Sequence, residues 1–160
     1  MKANTKFFGE VDIADDKVLE FPNGIIGFEN LRKFAIIYDI DKGPEVNLSY
    51  LQSLEEPLLV IPAVNPLVVL DNYNPMIEDS FLEPLDNPGE EDLMVLLAMT
   101  VPSDLTKMTV NMKAPFIINT RTRKGGQIIV ENSDYKVRFP VYDILQANKE
   151  QAEAEKKAGE

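Results

Sequence analysis

The side chains best equipped for chemistry in this chain are carboxylates, and they gather at Glu55-Glu56, Glu78-Asp79 and Glu90-Glu91-Asp92. Opposed carboxylates can hydrolyse a glycosidic bond as an acid and base pair, and clustered ones can hold Mg²⁺ or Ca²⁺. None of the three groups has the D-x-D-x-D-G spacing that wraps a calcium ion. Each falls where a turn or a helix start is expected, which favours solvated turn acids. The sequence contains no Cys and no His. That removes thiolate or imidazole nucleophile pairs, Cys/His zinc sites, disulfide frameworks and a side chain titrating near neutrality. Asn72, Tyr73 and Asn74 supply neither nucleophile nor base. The alternatives at this level are a carboxylate-dependent enzyme or metal-binding β-barrel acting on a small molecule, and a non-enzymatic binding module that needs no cofactor.

Charge separates these readings further. The net charge is −11 over 160 residues, but it is unevenly spread. Positions 1–50 hold nine acids and six bases, 51–100 hold ten acids and no base, and 101–160 hold eight acids and ten bases. The wholly anionic middle repels nucleic acid and steers a cationic partner, an effect that fades with salt. Acids also keep a small β protein soluble and its edges unpaired. Arg121, Arg123 and Lys124 could meet RNA phosphates. With no Trp and no interleaving of aromatic and basic residues, direct nucleic-acid binding is not expected. No run of 18 apolar residues exists, and the first ten residues lack a signal-peptide core, so the expectation is a cytoplasmic protein without a membrane span.

The elements that must position these groups read as short strands. Over 109–130, Val110, Met112, Phe116, Ile118, Ile128 and Val130 alternate with polar or small residues. The stretch reads as a hairpin whose tip is basic and closed by Gly125-Gly126, with Pro115 on an edge strand, at a bulge, or just before pairing begins; a plain surface hairpin with solubilising cations is the simpler account of that tip. Upstream, 6–13 and 17–21 read as a first hairpin across a turn at 14–16, and 29–33 as one helical turn carrying Phe28 and Leu31 inward. Strands follow at 34–40 and 46–54, separated by the turn Asp41-Lys42-Gly43-Pro44. Short apolar runs at 58–61 and 67–70 are broken by Pro62 and Asn65-Pro66, as at barrel corners. A short helix is expected over 76–85, with Glu78 and Asp79 in its first turn. Positions 93–101 give the most buried strand, and 135–142 a last strand with Val137 and Phe139 facing in. One 160-residue domain of mainly β, antiparallel barrel-like architecture with one or two short helices accounts for this pattern over 1–142. Residues 143–160 are rich in Ala, Glu, Lys and Gln with Ile144 and Leu145 as the apolar anchors, and read as a frayed or disordered tail.

Several blocks in fixed order carry a family resemblance: FGEVDI near the start, LEFPNGIIGFENLRKF at 19–34, LQSLEEP, PAVNP and DNYNP at 51–75, and APFIINTRTRKGGQIIVENSDYKVRFPVY at 114–142. The chain resembles the flagellar assembly factor FliW family up to about Tyr142 and departs from its usual pattern in the tail. The resemblance implies a small β-barrel-like fold and two mutually exclusive partners, flagellin and the RNA-binding translational regulator CsrA. It carries over Gln52, Ser53, Asn65, Pro66, Asp71, Tyr73, Asn119, Arg121, Gly125 and Gln127 as signature positions, either as contacts or as turn formers. Glu55, Glu56, Glu78 and Asp79 join them as the acids expected to steer a cationic partner.

Overall fold

The computed structural model describes residues 1–38 and 48–158. The expected turn at Asp41-Lys42-Gly43-Pro44 and the adjoining strand ends Asp39, Ile40 and Val46 lie outside the described residues. In chain order the strands are β1 (Lys2–Thr5), β2 (Gly9–Asp12), β3 (Leu19–Glu20), β4 (Lys33–Tyr38), β5 (Leu48–Ser53) and β6 (Val60–Val64). The short helix α1 (Asp79–Leu82) follows, then β7 (Leu93–Thr100), β8 (Thr109–Val110), β9 (Phe116–Asn119), β10 (Gly125–Gln127), β11 (Phe139–Pro140) and helix α2 (Tyr142–Ala158).

Among the described residues β1 and β2 form a separate hairpin, and the other nine strands form one antiparallel sheet with the path β10, β9, β7, β6, β5, β4, β3; β8 joins β7 and carries β11. The two ends of that path meet at a single bridge, where the Glu20 N–H donates to the Arg123 carbonyl at 2.9 Å. The architecture is therefore mainly β and barrel-like, without a continuous ladder around it.

β7 explains why the chain needs a long apolar run. Leu97 and Met99 lie in one core cluster with Val64, Val110, Val130 and Val141. Leu96 lies in another with Phe21, Phe34, Leu51, Phe116 and Ile118. A strand with core on both faces cannot alternate with polar residues. It is nevertheless not the most buried strand, because residues 93–95 are only half-buried whereas all four residues of β9 are buried. β5 is covered on its second face by the β1–β2 hairpin: the rings of Phe7 and Phe8 meet Tyr50 edge-on at 5.5 and 5.6 Å.

Several sequence expectations are corrected. The first hairpin pairs β1 with β2, with Ala3 opposite Val11, while 17–21 contributes β3 to the main sheet instead. Positions 29–32 form no helical turn, and Phe28 is exposed. The helix expected over 76–85 is one turn of α-helix followed by a 3-10 turn at Glu83–Leu85, because Pro84 provides no N–H to continue it. The last strand shrinks to Phe139–Pro140, leaving Val137 exposed. The run at 67–70 is not a strand: Asn65 caps a 3-10 turn at Pro66–Val68. Gly125 and Gly126 do not close the hairpin tip. They lie in β10 opposite Ile118 and Ile117, and the turn is made by Arg123 at φ 65°. Glycine is needed there for space, since a Cβ on Gly125 would sit 2.6 Å from Phe21 Cε1 and one on Gly126 3.0 Å from Phe81 Cζ.

The segment read as a tail is helical from Tyr142 to Ala158. Its first turns touch the body: Leu145 packs against the core cluster around Val141, and Asn148 Nδ2 donates to the Val68 carbonyl at 3.1 Å.

Candidate protein-binding surface

Most signature positions are occupied with the protein's own backbone. Gln52 is buried; its Nε2 donates to the Pro57 and Leu59 carbonyls at 3.0 and 3.2 Å, and its Oε1 accepts from the Lys6 N–H at 3.3 Å. Ser53 Oγ accepts from the Glu55 and Glu56 N–H groups at 3.2 and 2.9 Å. Asn119, also buried, donates to the Leu85 carbonyl at 2.8 Å and accepts from Arg121 and Thr122 N–H at 3.0 and 3.3 Å. Gln127 accepts from the Ile26 N–H at 3.0 Å and donates to the Ala114 carbonyl at 3.1 Å. Amides recur at these places because one side chain both donates and accepts, so a single residue satisfies groups from two segments.

The acids divide by the same test. Glu55 Oε1 accepts from the Arg32 and Lys33 N–H groups at 2.6 and 2.8 Å, clamping β4. Those two N–H groups, Arg32's first, hold its carboxyl below the usual glutamate range. Glu56 accepts from its near neighbour Leu58 at 3.2 Å. Asp71, Glu78 and Asp79 are exposed. Glu78 Oε2 accepts from Ser80 Oγ at 3.5 Å. From 71 to 92 the sequence carries eight acids and no base. Two of those acids engage the hairpin cations: Asp92 meets Arg121 at 3.6 Å and Asp86 meets Lys124 at 3.4 Å. Two of the three cations at the tip, Arg121 and Lys124, are thus turned to the protein's own acids, while Arg123 is exposed. Among the described residues no three acids converge in a metal-holding group.

Beside this acidic segment lies a groove of about 1190 Å³. Its floor is residues 93–96 of β7, and its walls include Leu48, Leu67, Tyr73, Ile77 and Leu82, with Glu90 at the rim. Of the expected site residues, Asn65 and Tyr73 line it; Gln52, Ser53, Glu55 and Glu56 sit by the β5–β6 turn, and Asn119, Arg121 and Gln127 on the β9–β10 hairpin. The sequence reading therefore does not describe one site. It missed Leu67 and the floor of β7; the available signal was a leucine left behind Asn65-Pro66, where no strand can continue. Tyr73 is buried, its hydroxyl donating to the Met112 carbonyl at 2.9 Å. Burial, and then the neighbouring Tyr135, pushes its phenol far above the ordinary range.

The model of the family described as FliW protein matches residues 2–141. The chain belongs to the FliW family. FliW relatives align over nearly their whole length. A flagellar assembly factor FliW from Lachnospira eligens is 44% identical over 146 residues, covering 91% of this chain and 97% of that protein. One from Lachnoclostridium phytofermentans is 48% identical over 151 residues, covering 93% and 97%. A crystal structure of the flagellar assembly factor FliW superposes with a TM-score of 0.80 at 28% identity, covering 88% of this chain and 96% of that one. FliW is named as an assembly factor and not as an enzyme family. Among the described residues no helix is long and apolar enough to cross a membrane.

Proposed function

We propose that this FliW protein is a cytoplasmic, non-enzymatic regulator that binds flagellin and, alternately, a CsrA-type RNA-binding repressor. Bound to the repressor it antagonises RNA binding, so that flagellin translation follows export. Family membership over residues 2–141 is the observation that carries this reading. The charge distribution adds a physical mechanism. An acidic protein docked beside an RNA site repels the phosphate backbone without occupying the same surface. Exposed Asp71, Glu78 and Asp79, unlike the committed Glu55, are free to supply that field.

The test is a titration of the purified protein with flagellin and with the repressor, separately and in competition, alongside the repressor's affinity for flagellin messenger RNA. Binding of each partner, mutual exclusion and a weakened RNA complex are the expected results. Binding of neither partner overturns the reading.

A further inference from the structure

β6 and β7 pair only at Ala63 with Ala98 and Val64 with Leu97. Continued in the same antiparallel register, residues 65–68 would lie against 96–93. They do not, because Pro66 lacks an N–H and Asn65 Oδ1 accepts from Leu67 N–H at 3.0 Å, bending the chain into a 3-10 turn. The place of a ladder partner beside residues 93–96 is the groove described above.

The backbone of β7 points into that place. Thr120 N–H donates to the Asp92 carbonyl at 2.8 Å, and β9 pairs Leu93 with Asn119 through Leu96 with Phe116. Hydrogen-bonded pairs alternate in an antiparallel ladder, so 92, 94 and 96 bond towards β9, while Leu93 and Val95 turn their polar groups the other way. Leu93 N–H is taken by the Glu90 carbonyl. The Leu93 carbonyl and both Val95 groups face the groove with no backbone partner among the described residues. An open strand edge is a template for another chain. The groove is larger than the roughly 300–1,000 Å³ of small-molecule pockets, and its walls are mainly apolar, with Ser49, Asn65 and Asn74 among them and Leu67 and Tyr38 55% and 61% exposed. Around it, 71–92 supplies acids and no base.

We propose that this groove binds an extended segment of a protein partner by strand addition to β7, the segment being apolar at alternate residues and carrying Lys or Arg at its ends. The backbone bonds give affinity, Leu67, Ile77 and Leu82 receive alternate side chains, and the acids select the cationic ends. This deepens the partner-binding reading above and rests on it.

The probe is the fluorescein-labelled peptide Lys-Val-Thr-Val-Thr-Val-Lys, titrated with the full chain and read by anisotropy. Saturable binding is expected to weaken about tenfold or more when amides along one edge of the peptide are N-methylated, and to be unaffected by methylating the other edge. Leu67→Lys, on an exposed wall, is expected to weaken it similarly while leaving the thermal midpoint unchanged. No anisotropy change at millimolar protein, equal effects of both methylation patterns, or full binding by Leu67→Lys overturns the proposal. Flagellin and repressor titrations on the same two proteins separate the failures. A parent that holds the peptide but neither partner overturns the functional reading and leaves the groove; a Leu67→Lys protein that binds both partners like its parent overturns the groove as the partner site and leaves the reading.

Discussion

The rings of Tyr73 and Tyr135 stack with centroids 4.8 Å apart and planes 14° from parallel, while their hydroxyls serve different backbone groups. Tyr73 donates to the Met112 carbonyl at 2.9 Å, and Tyr135 accepts from the Asn74 N–H at 2.7 Å. The stack fastens one wall of the groove to the segment that follows β10. Stacking of this kind contributes about 0.5–1.5 kcal/mol beyond the area it buries.

Tyr73→Phe keeps the stack but leaves the buried Met112 carbonyl without its donor. A loss of about 1–3 kcal/mol is expected in urea unfolding at neutral pH. Tyr135→Phe should cost less, because water can reach the exposed Asn74. Since the folded Tyr73 phenol is raised, its contribution is complete below the ordinary tyrosine range and is lost as pH rises beyond it. That alkaline dependence should diminish in Tyr73→Phe.

Glu55 gives the opposite dependence. Its folded carboxyl is held below the unfolded value, so its stabilisation is present above the ordinary glutamate range and is lost as pH falls through the depressed folded value. Glu55→Gln should destabilise at neutral pH by about 1 kcal/mol or less, given its exposure. The gap from the parent should close as unfolding is measured at progressively lower pH.

Asn119 and Arg121 separate bracketing from surface charge. Asn119→Ala loses three hydrogen bonds and strands the buried Leu85 carbonyl, for an expected cost of about 2–3 kcal/mol, or roughly 5–10 °C in Tm. Arg121→Ala loses one exposed ion pair and should cost about 0–1 kcal/mol. Calorimetry of the two variants checks the contrast.

Helix α2 should be needed only at its start. Ending the chain after Tyr142 removes the Leu145 contact and the Asn148 bond to Val68. The expected loss is about 1–3 kcal/mol. Ending it after Lys149 keeps both contacts and should leave Tm within a degree or two.

Charge reversal at Glu78 and Asp79 should slow association with the RNA-binding repressor and flatten its salt dependence, with dissociation less affected. Stopped-flow kinetics across ionic strength provide the measurement. Glu55 is unsuitable for this purpose because reversing it would also release β4.

Much of the architecture was legible because local chemistry suffices for it. Period-2 runs, prolines and turn residues gave a mainly β chain of short strands, and ordered motifs gave the family. The missing Cys and His and the base-free middle were equally plain, since composition does not depend on folding. Pairing partners were not legible: 17–21 looks able to form a hairpin with 6–13, and instead its β3 pairs with β4, a choice made by which faces the whole sheet buries. Gly125-Gly126 looks like a turn dipeptide because glycine suits turns, and only the arrival of Phe21 and Phe81 across the fold shows that the missing side chains make room. Signature polar residues read equally as contacts or as turn formers, and the structure shows Gln52, Asn119 and Gln127 each bonded to the protein's own backbone. Which amide finds which carbonyl depends on residues far apart in sequence. The groove belongs wholly to tertiary structure: Pro66 announces that a strand must end, and the fold decides that its departure leaves the Leu93 carbonyl and both Val95 backbone groups facing the groove without a backbone partner among the described residues.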